Sequence, residues 1–211
     1  MSVSPGFTVR PSLLRTLSQW HWVSAAMALA GLVLFSITGV TLNHANLIEA
    51  KPEVVTRTAT LPPVLTQALA SVAESADNDT PVPGTVRDWA RQNLDLALAE
   101  SATAEWSAEE VYVSLPEPGG DAWLRIDLES GAAEYERTTR GAIAYLNDLH
   151  KGRHTGLVWQ LFLDVIAVAC LVFALSGLWI LKLHAANRPF TWPLTALGLV
   201  LPVLIALLFI H

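Results

Sequence analysis

Three stretches of this chain carry almost no charge over lengths that water-soluble folds rarely use. No Asp, Glu, Lys or Arg lies between Arg15 and Glu49, and Trp22 to Leu42 (WVSAAMALAGLVLFSITGVTL) is almost wholly apolar. Thr155 to Leu181 is interrupted by Gln160 and Asp164, and Phe190 to Ile210 holds no charged residue. As helices rising about 1.5 Å per residue, all three are long enough to cross a hydrocarbon core of about 30 Å. Three transmembrane helices are therefore expected. Pro193 and Pro202 are tolerable in the third, because neighbouring groups in a membrane protein can satisfy the freed carbonyls, and a kink is expected near Pro202. Composition agrees: 52% of residues are hydrophobic and 15% charged, against about 25% charged in an ordinary globular domain.

The spans divide the chain into an N-terminal segment (1–18), a first transmembrane helix (19–47), an extramembrane domain (48–153), a second helix (154–183), a short loop (184–189) and a third helix (190–211). The first span is longer than a signal-peptide core and its exit, Leu42-Asn43-His44-Ala45-Asn46, is a poor cleavage site, so it reads as a retained anchor. Arg10 and Arg15 before it, and Lys182 and Arg188 between the last two spans, favour a cytoplasmic N-terminus with the large loop outside. Charge alone does not decide this, because Lys51, Arg57, Arg140, Lys151 and Arg153 lie near the loop's own ends. The loop holds 18 acidic and 9 basic residues, which argues against nucleic acid as a partner. Its charge fits a solvated surface or a face for a cationic partner.

Within the loop, Pro62-Pro63 opens a helical pattern at Val64, Leu65, Leu69 and Val72, and a second helix is expected over Val86 to Leu94. Val111 to Leu115, Ala122 to Leu128 and Ala132 to Thr138 alternate between apolar and polar residues. The turns Pro116 to Gly120 and Glu129 to Gly131 separate them, predicting a small antiparallel sheet. The fold class is thus a mainly α membrane protein, with three transmembrane helices and a small α+β domain inserted between the first and second. No nucleophile with a base at recognisable spacing occurs, nor any phosphate-binding glycine loop, so the domain reads as a binding or positioning module.

All six histidines, His21, His44, His150, His154, His184 and His211, lie in or beside the spans. A histidine at a membrane boundary is most often an interfacial residue, and for the terminal His211 that reading is stronger still. The alternative is haem. With the first two helices antiparallel, His44 approaches His150 or His154 at one face and His21 approaches His184 at the other. Two helices that each offer a neutral imidazole can close haem iron for electron transfer. Any such haem is non-covalent, since the single Cys170 provides neither a disulfide nor a C-x-x-C-H attachment site. On straight helices the outer and inner pairs are not both level: His21 to His44 spans roughly 35 Å, His154 to His184 roughly 45 Å and His150 to His184 roughly 51 Å. If the outer pair is level, His184 overshoots His21 by roughly 10 to 16 Å, unless Gly152 to Gly156 leaves helical geometry. A further alternative places His150 and His154, four apart, on one helix face binding zinc.

Asp164 is costly inside a span. It either orients a polar group or takes up a proton, or it is a neutral acid bonded to Ser36, Thr38 or Thr41. Small residues at Ser24, Ala25, Ala28, Gly31, Gly39, Ser176 and Gly177 allow close helix approach or room for a flat macrocycle. The third span reads as a packing helix.

Ser36 to His44 (SITGVTLNH), Leu149-His150-Lys151-Gly152-Arg153 running on to Asp164, and Leu175-Ser176-Gly177-Leu178-Trp179 resemble the PepSY-associated transmembrane helix proteins. The loop domain resembles PepSY in its helix-then-hairpin order. That resemblance implies an inner-membrane protein similar to b-type cytochromes, moving electrons across the bacterial inner membrane to ferric siderophores in the periplasm. Its cofactor would be haem b, one or two per chain. The resemblance supports His44 and His150 through the L-N-H and L-H-x-G-R patterns. His21, in Trp20-His21-Trp22, resembles the family's histidine before the first span, although the usual neighbouring arginine is absent. His154 and His184 rest on topology alone.

The expected partners are membrane lipid, a cytoplasmic or membrane electron donor, and a periplasmic ferric acceptor or partner protein. A homo-oligomer is left open, and a separate donor is needed because no nucleotide or flavin motif is found. The rival expectation is a non-redox scaffold whose PepSY-like domain binds or restrains a periplasmic partner. Activity as a ferric-chelate reductase, or as its electron-transfer subunit, remains an expectation of the resemblance.

Overall fold

A computed structural model describes residues 10–48, 51–77, 80–185 and 188–210; His211 lies outside them. Three of its helices are long and apolar enough to cross a membrane: α1 (Pro11–Asn43), α5 (Gly156–His184) and α6 (Thr191–Phe209). The chain is a multi-pass membrane protein, and these helices contact lipid. Between α1 and α5 in sequence lies the α+β domain, which begins with a 3-10 turn at Ala45–Leu47 and strand β1 (Glu53–Thr60). Helices α2 (Pro63–Ala73) and α3 (Gly84–Asn93) follow, then β2 (Glu105–Trp106), β3 (Glu110–Glu117), β4 (Gly120–Asp127) and β5 (Ala132–Thr139), and helix α4 (Ala142–Lys151). The structure separates into two compact units, one of residues 1–34 and 161–211, the other of residues 35–160.

In the second unit the five strands form one antiparallel sheet in the order β1-β5-β4-β3-β2. Period-two alternation explains its core. Val111 and Val113 on β3 pair with Ile126 and Leu124 on β4, and Leu124 pairs in turn with Tyr135 on β5, all buried. Leu69 of α2 and Val86, Trp89 and Ala90 of α3 join them in a single apolar cluster. Pro63 begins α2 at a position where its missing N–H costs no hydrogen bond. The expected helices and three hairpin strands thus occur within a few residues of their predicted bounds.

Three elements of this unit, β1, α4 and the two-residue β2, carry no sequence expectation. Strand β1 is exposed along most of its length, so it lacks the apolar alternation that marks a half-buried strand, and only its β-branched Val and Thr residues hint at extended backbone. Helix α4 is short and stops at Lys151. Gly152 caps it in the left-handed conformation, and His154 and Gly156 also have positive φ. The chain from Gly152 to Gly156 therefore leaves helical geometry, so arithmetic on one straight helix from His150 to His184 does not apply.

In the first unit, Ser24, Ala28 and Gly31 of α1 are buried at a spacing of four and three, which places them on one helix face. Ile166, Ala169 and Ser176 of α5 are buried likewise. A Cβ added at Gly31 would stand 2.6 Å from Ile166 Cγ2, so that glycine admits the facing side chain. Helix α6 buries none of its described residues, contrary to the expectation of a packing helix. Because it is apolar all round, lipid satisfies it as well as protein would. Pro202 lies inside it, and the helix continues to Phe209.

The β4–β5 turn supplies a pH-dependent element. The Asp127 carboxylate accepts hydrogen bonds from the Ser130 hydroxyl (2.7 Å), the Ser130 N–H (2.7 Å) and the Glu129 N–H (3.1 Å). These bonds, the Ser130 hydroxyl first, hold its pKa below the ordinary 3.8. A depressed folded-state pKa stabilises the fold above the unfolded value, and the contribution is lost as pH falls through the folded value. Asp127→Ala is expected to lower the thermal midpoint of the detergent-solubilised chain at pH 7, with the difference from the parent narrowing below about pH 4. A difference independent of pH would contradict this account of the turn.

Candidate functional site

The described histidines fall into two kinds, held and exposed. His21 in α1 is half-buried and meets α5, where Nδ1 lies 3.0 Å from Ser176 Oγ and 3.2 Å from the Phe173 carbonyl oxygen. The Ser176 hydroxyl donates to the Val172 carbonyl (2.6 Å), so it accepts from His21, and Nδ1 carries the proton. The imidazole stacks on the Phe173 ring, with centroids 4.7 Å apart and planes 19° apart. Its edge lies over Gly177, where an added Cβ would come within 3.0 Å of Cε1.

His150, in the last turn of α4, repeats this arrangement within the other unit. Its Nδ1 is 2.6 Å from Thr38 Oγ1, its ring meets Phe35 edge-on at 5.2 Å, and its Cε1 lies 3.7 Å from the position of a Cβ on Gly39. The Thr38 hydroxyl also lies 3.5 Å from the Phe35 carbonyl, an acceptor that lets its oxygen serve Nδ1. Helix α4 is placed for this contact at both ends of its last two turns. Asp148 accepts from the Gly119 N–H in the β3–β4 turn (2.9 Å), and Asn147 accepts from the Thr41 hydroxyl (2.9 Å). Trp159 at the start of α5 donates to the Leu149 carbonyl (2.9 Å).

His44 and His184 are exposed, and each donates Nδ1–H to the carbonyl four residues earlier, Val40 (2.9 Å) and Ile180 (2.9 Å). This folds each ring back along its helix. His44 stands five residues beyond Gly39, a rise of roughly 7.5 Å, and His184 seven beyond Gly177, roughly 10.5 Å. The structure brings His150 to Thr38 and His21 to Ser176; among the described residues it records no direct contact between His44 and His150 or between His21 and His184. His154 is exposed in the non-helical turn. The zinc alternative is corrected accordingly: His150 and His154 do not share a helix face, because α4 ends between them. Among the described residues no three His, Cys, Asp or Glu side chains gather around a metal position.

Asp164 is exposed in a groove of about 350 Å³ lined by apolar residues that include Trp20, Val23, Met27, Val168 and Val172.

The family described as Putative PepSY_TM-like matches residues 12–211. The chain belongs to this PepSY_TM-like family. No curated protein and no solved structure gives a significant match. In this PepSY_TM-like chain sequence reasoning missed Phe35 and Phe173, and the role that Thr38, Gly39, Ser176 and Gly177 play beneath the held rings. Phe35-Ser36-Ile37-Thr38-Gly39 and Phe173-Ala174-Leu175-Ser176-Gly177 share the pattern F-x-x-[ST]-G, and a search for internal repeats would have found it. Spaced by three and four, the phenyl, hydroxyl and glycine share one helix face.

Removing the Asp148 carboxylate tests how α4 is placed. Asp148→Ala frees the Gly119 N–H and is expected to cost about 1 kcal/mol. Hydrogen exchange should then quicken in residues 142–151 while β3 to β5 keep their protection. Unchanged exchange in 142–151 would show that the sheet turn does not anchor the helix.

Proposed function

We propose that this chain is a haem b electron-transfer protein of the bacterial inner membrane, with its N-terminus cytoplasmic and its sheet domain in the periplasm. It passes electrons outward to a ferric acceptor, of which a ferric siderophore is the reading implied by the family resemblance. It takes them from a separate cytoplasmic or membrane donor.

One observation carries this reading: His21, His44, His150 and His184 each have Nδ1 engaged with an oxygen. In a neutral imidazole with Nδ1 protonated, Nε2 carries the lone pair that binds iron. A metal-binding histidine characteristically gives its other N–H to an oxygen, which fixes the ring and raises its basicity. The donor chemistry therefore fits haem. His44 and His150 would hold one group, and His21 and His184 a second; His150 is preferred to His154 because its ring is held.

Bound haem would supply a one-electron ferric/ferrous couple. The protein's own part is to present imidazoles from separate elements and to keep their tautomer fixed. It also surrounds them with apolar side chains such as Phe35 and Phe173, which limit water. The sheet domain presents the outer surface on which an acceptor would dock. Asp164, the one carboxylate in the spans, is the group available to take up a proton on reduction.

The purified protein, made in haem-replete cells, is expected to show a Soret band and a reduced α band after dithionite. Absence of both would favour a non-redox scaffold. His44→Ala and His150→Ala should each abolish the outer centre, while His184→Ala leaves it intact; a normal low-spin spectrum with full haem content in both of the first two variants would refute the ligand assignment.

A further inference from the structure

We infer that the two F-x-x-[ST]-G segments are one imidazole-holding platform used twice, and that Thr38 and Ser176 are positioning residues acting through His150 and His21. The argument rests on the matching construction of two places far apart in sequence. In each, a histidine from another helix lies against a phenyl ring, gives its Nδ1–H to a hydroxyl three residues on, and overlies the next residue, a glycine. Chance packing would not be expected to place the same three residue types at the same spacing beneath an imidazole in both units.

Each part has a separate physical role. The hydroxyl selects the tautomer and makes the imidazole a better donor through Nε2. At Ser176 this is possible because the hydroxyl proton goes to the Val172 carbonyl, 2.6 Å away; at Thr38 the nearby Phe35 carbonyl, at 3.5 Å, is a weaker acceptor for it. Thr38 and Ser176 are both buried, so water does not compete for the bond. The phenyl ring limits rotation of the imidazole. At Gly177 the glycine leaves room for the ring edge, since a Cβ there would come within 3.0 Å of Cε1, whereas at Gly39 a Cβ would make an ordinary contact at 3.7 Å. His44 and His184 have no such platform and lean on their own helix. Each proposed ligand pair thus combines one held imidazole with one exposed imidazole, which makes the exposed member the one that exogenous ligands displace first.

This inference deepens the haem reading and rests on it only for the consequences at iron; the platform itself is argued from contacts among the chain's own side chains. The test uses the full chain in detergent, with 15N-labelled histidine, purified without haem. In the parent, His21 and His150 are expected as the Nδ1–H tautomer. Thr38→Val should release that preference at His150 and leave His21 unchanged. Ser176→Ala should do the reverse. Thr38→Ser, which restores a hydroxyl, should restore the tautomer. Titration with haemin follows: Thr38→Val is expected to weaken binding at the His150 centre by about 10- to 100-fold, with Thr38→Ser returning near the parent, and to raise the midpoint potential because a weaker donor stabilises ferric iron less.

An unchanged His150 tautomer in Thr38→Val overturns the platform, whatever happens with haem. A parent that binds no haemin while showing the predicted tautomers and their selective loss supports the platform and overturns the haem reading. Because the Ser176 and Thr38 variants report on different histidines, a general unfolding would be seen as loss at both rather than as the predicted selectivity. Such a joint loss in both variants also overturns the claim of two independent platforms.

Discussion

Inside a bilayer a polar side chain has no water to fall back on, and this constraint organises the helices more than any apolar contact does. Ser176 answers it by bonding a carbonyl of its own helix and accepting His21, and Thr38 by accepting His150. Each hydrogen bond needs a close approach of the imidazole, and at Ser176 the following glycine eases it, since a Cβ on Gly177 would stand 3.0 Å from the His21 ring. Ser24, Ala28 and Gly31 extend the same logic along α1, where the Ile166 side chain occupies the space over Gly31. Hydroxyl, glycine and imidazole are therefore mutually dependent, and a change in one alters the demands on the other two.

Helix α4 joins this membrane-level chemistry to the folded domain. Its Asp148 receives the Gly119 N–H of the β3–β4 turn, its Asn147 receives the Thr41 hydroxyl, and its His150 reaches Thr38. A short helix with three polar anchors has little freedom to rotate, so the direction of His150 is set by the sheet turn as well as by α1. The left-handed Gly152 then ends it, and α5 begins at Gly156. Anything that moved the β3–β4 turn would act on the histidine through this helix.

The long uncharged runs exposed the three spans in sequence, and the alternation at Val111, Val113, Leu124 and Ile126 exposed most of the sheet, because burial imposes a period that can be read directly. Strand β1 escaped because its burial is slight, and α4 because a ten-residue helix ended by glycine has too few turns for a clear period. Each site histidine was visible as a residue type in an unusual place. What each would touch was not, since the contacts of His21 and His150 cross between elements far apart in sequence. One signal was present and went unread: the phenyl, hydroxyl and glycine recur at identical spacing at Phe35 and Phe173. Membership of the PepSY_TM-like family, over residues 12–211, establishes the class of membrane protein and leaves its chemistry to be tested.

The central claim is that imidazoles on separate elements of this chain hold haem iron between them. Electron paramagnetic resonance of the oxidised protein, purified from haem-replete membranes, tests it most directly. The account predicts a low-spin ferric signal of the kind given by iron with two imidazole ligands. A high-spin ferric signal, or no haem iron at all in folded protein, would contradict it.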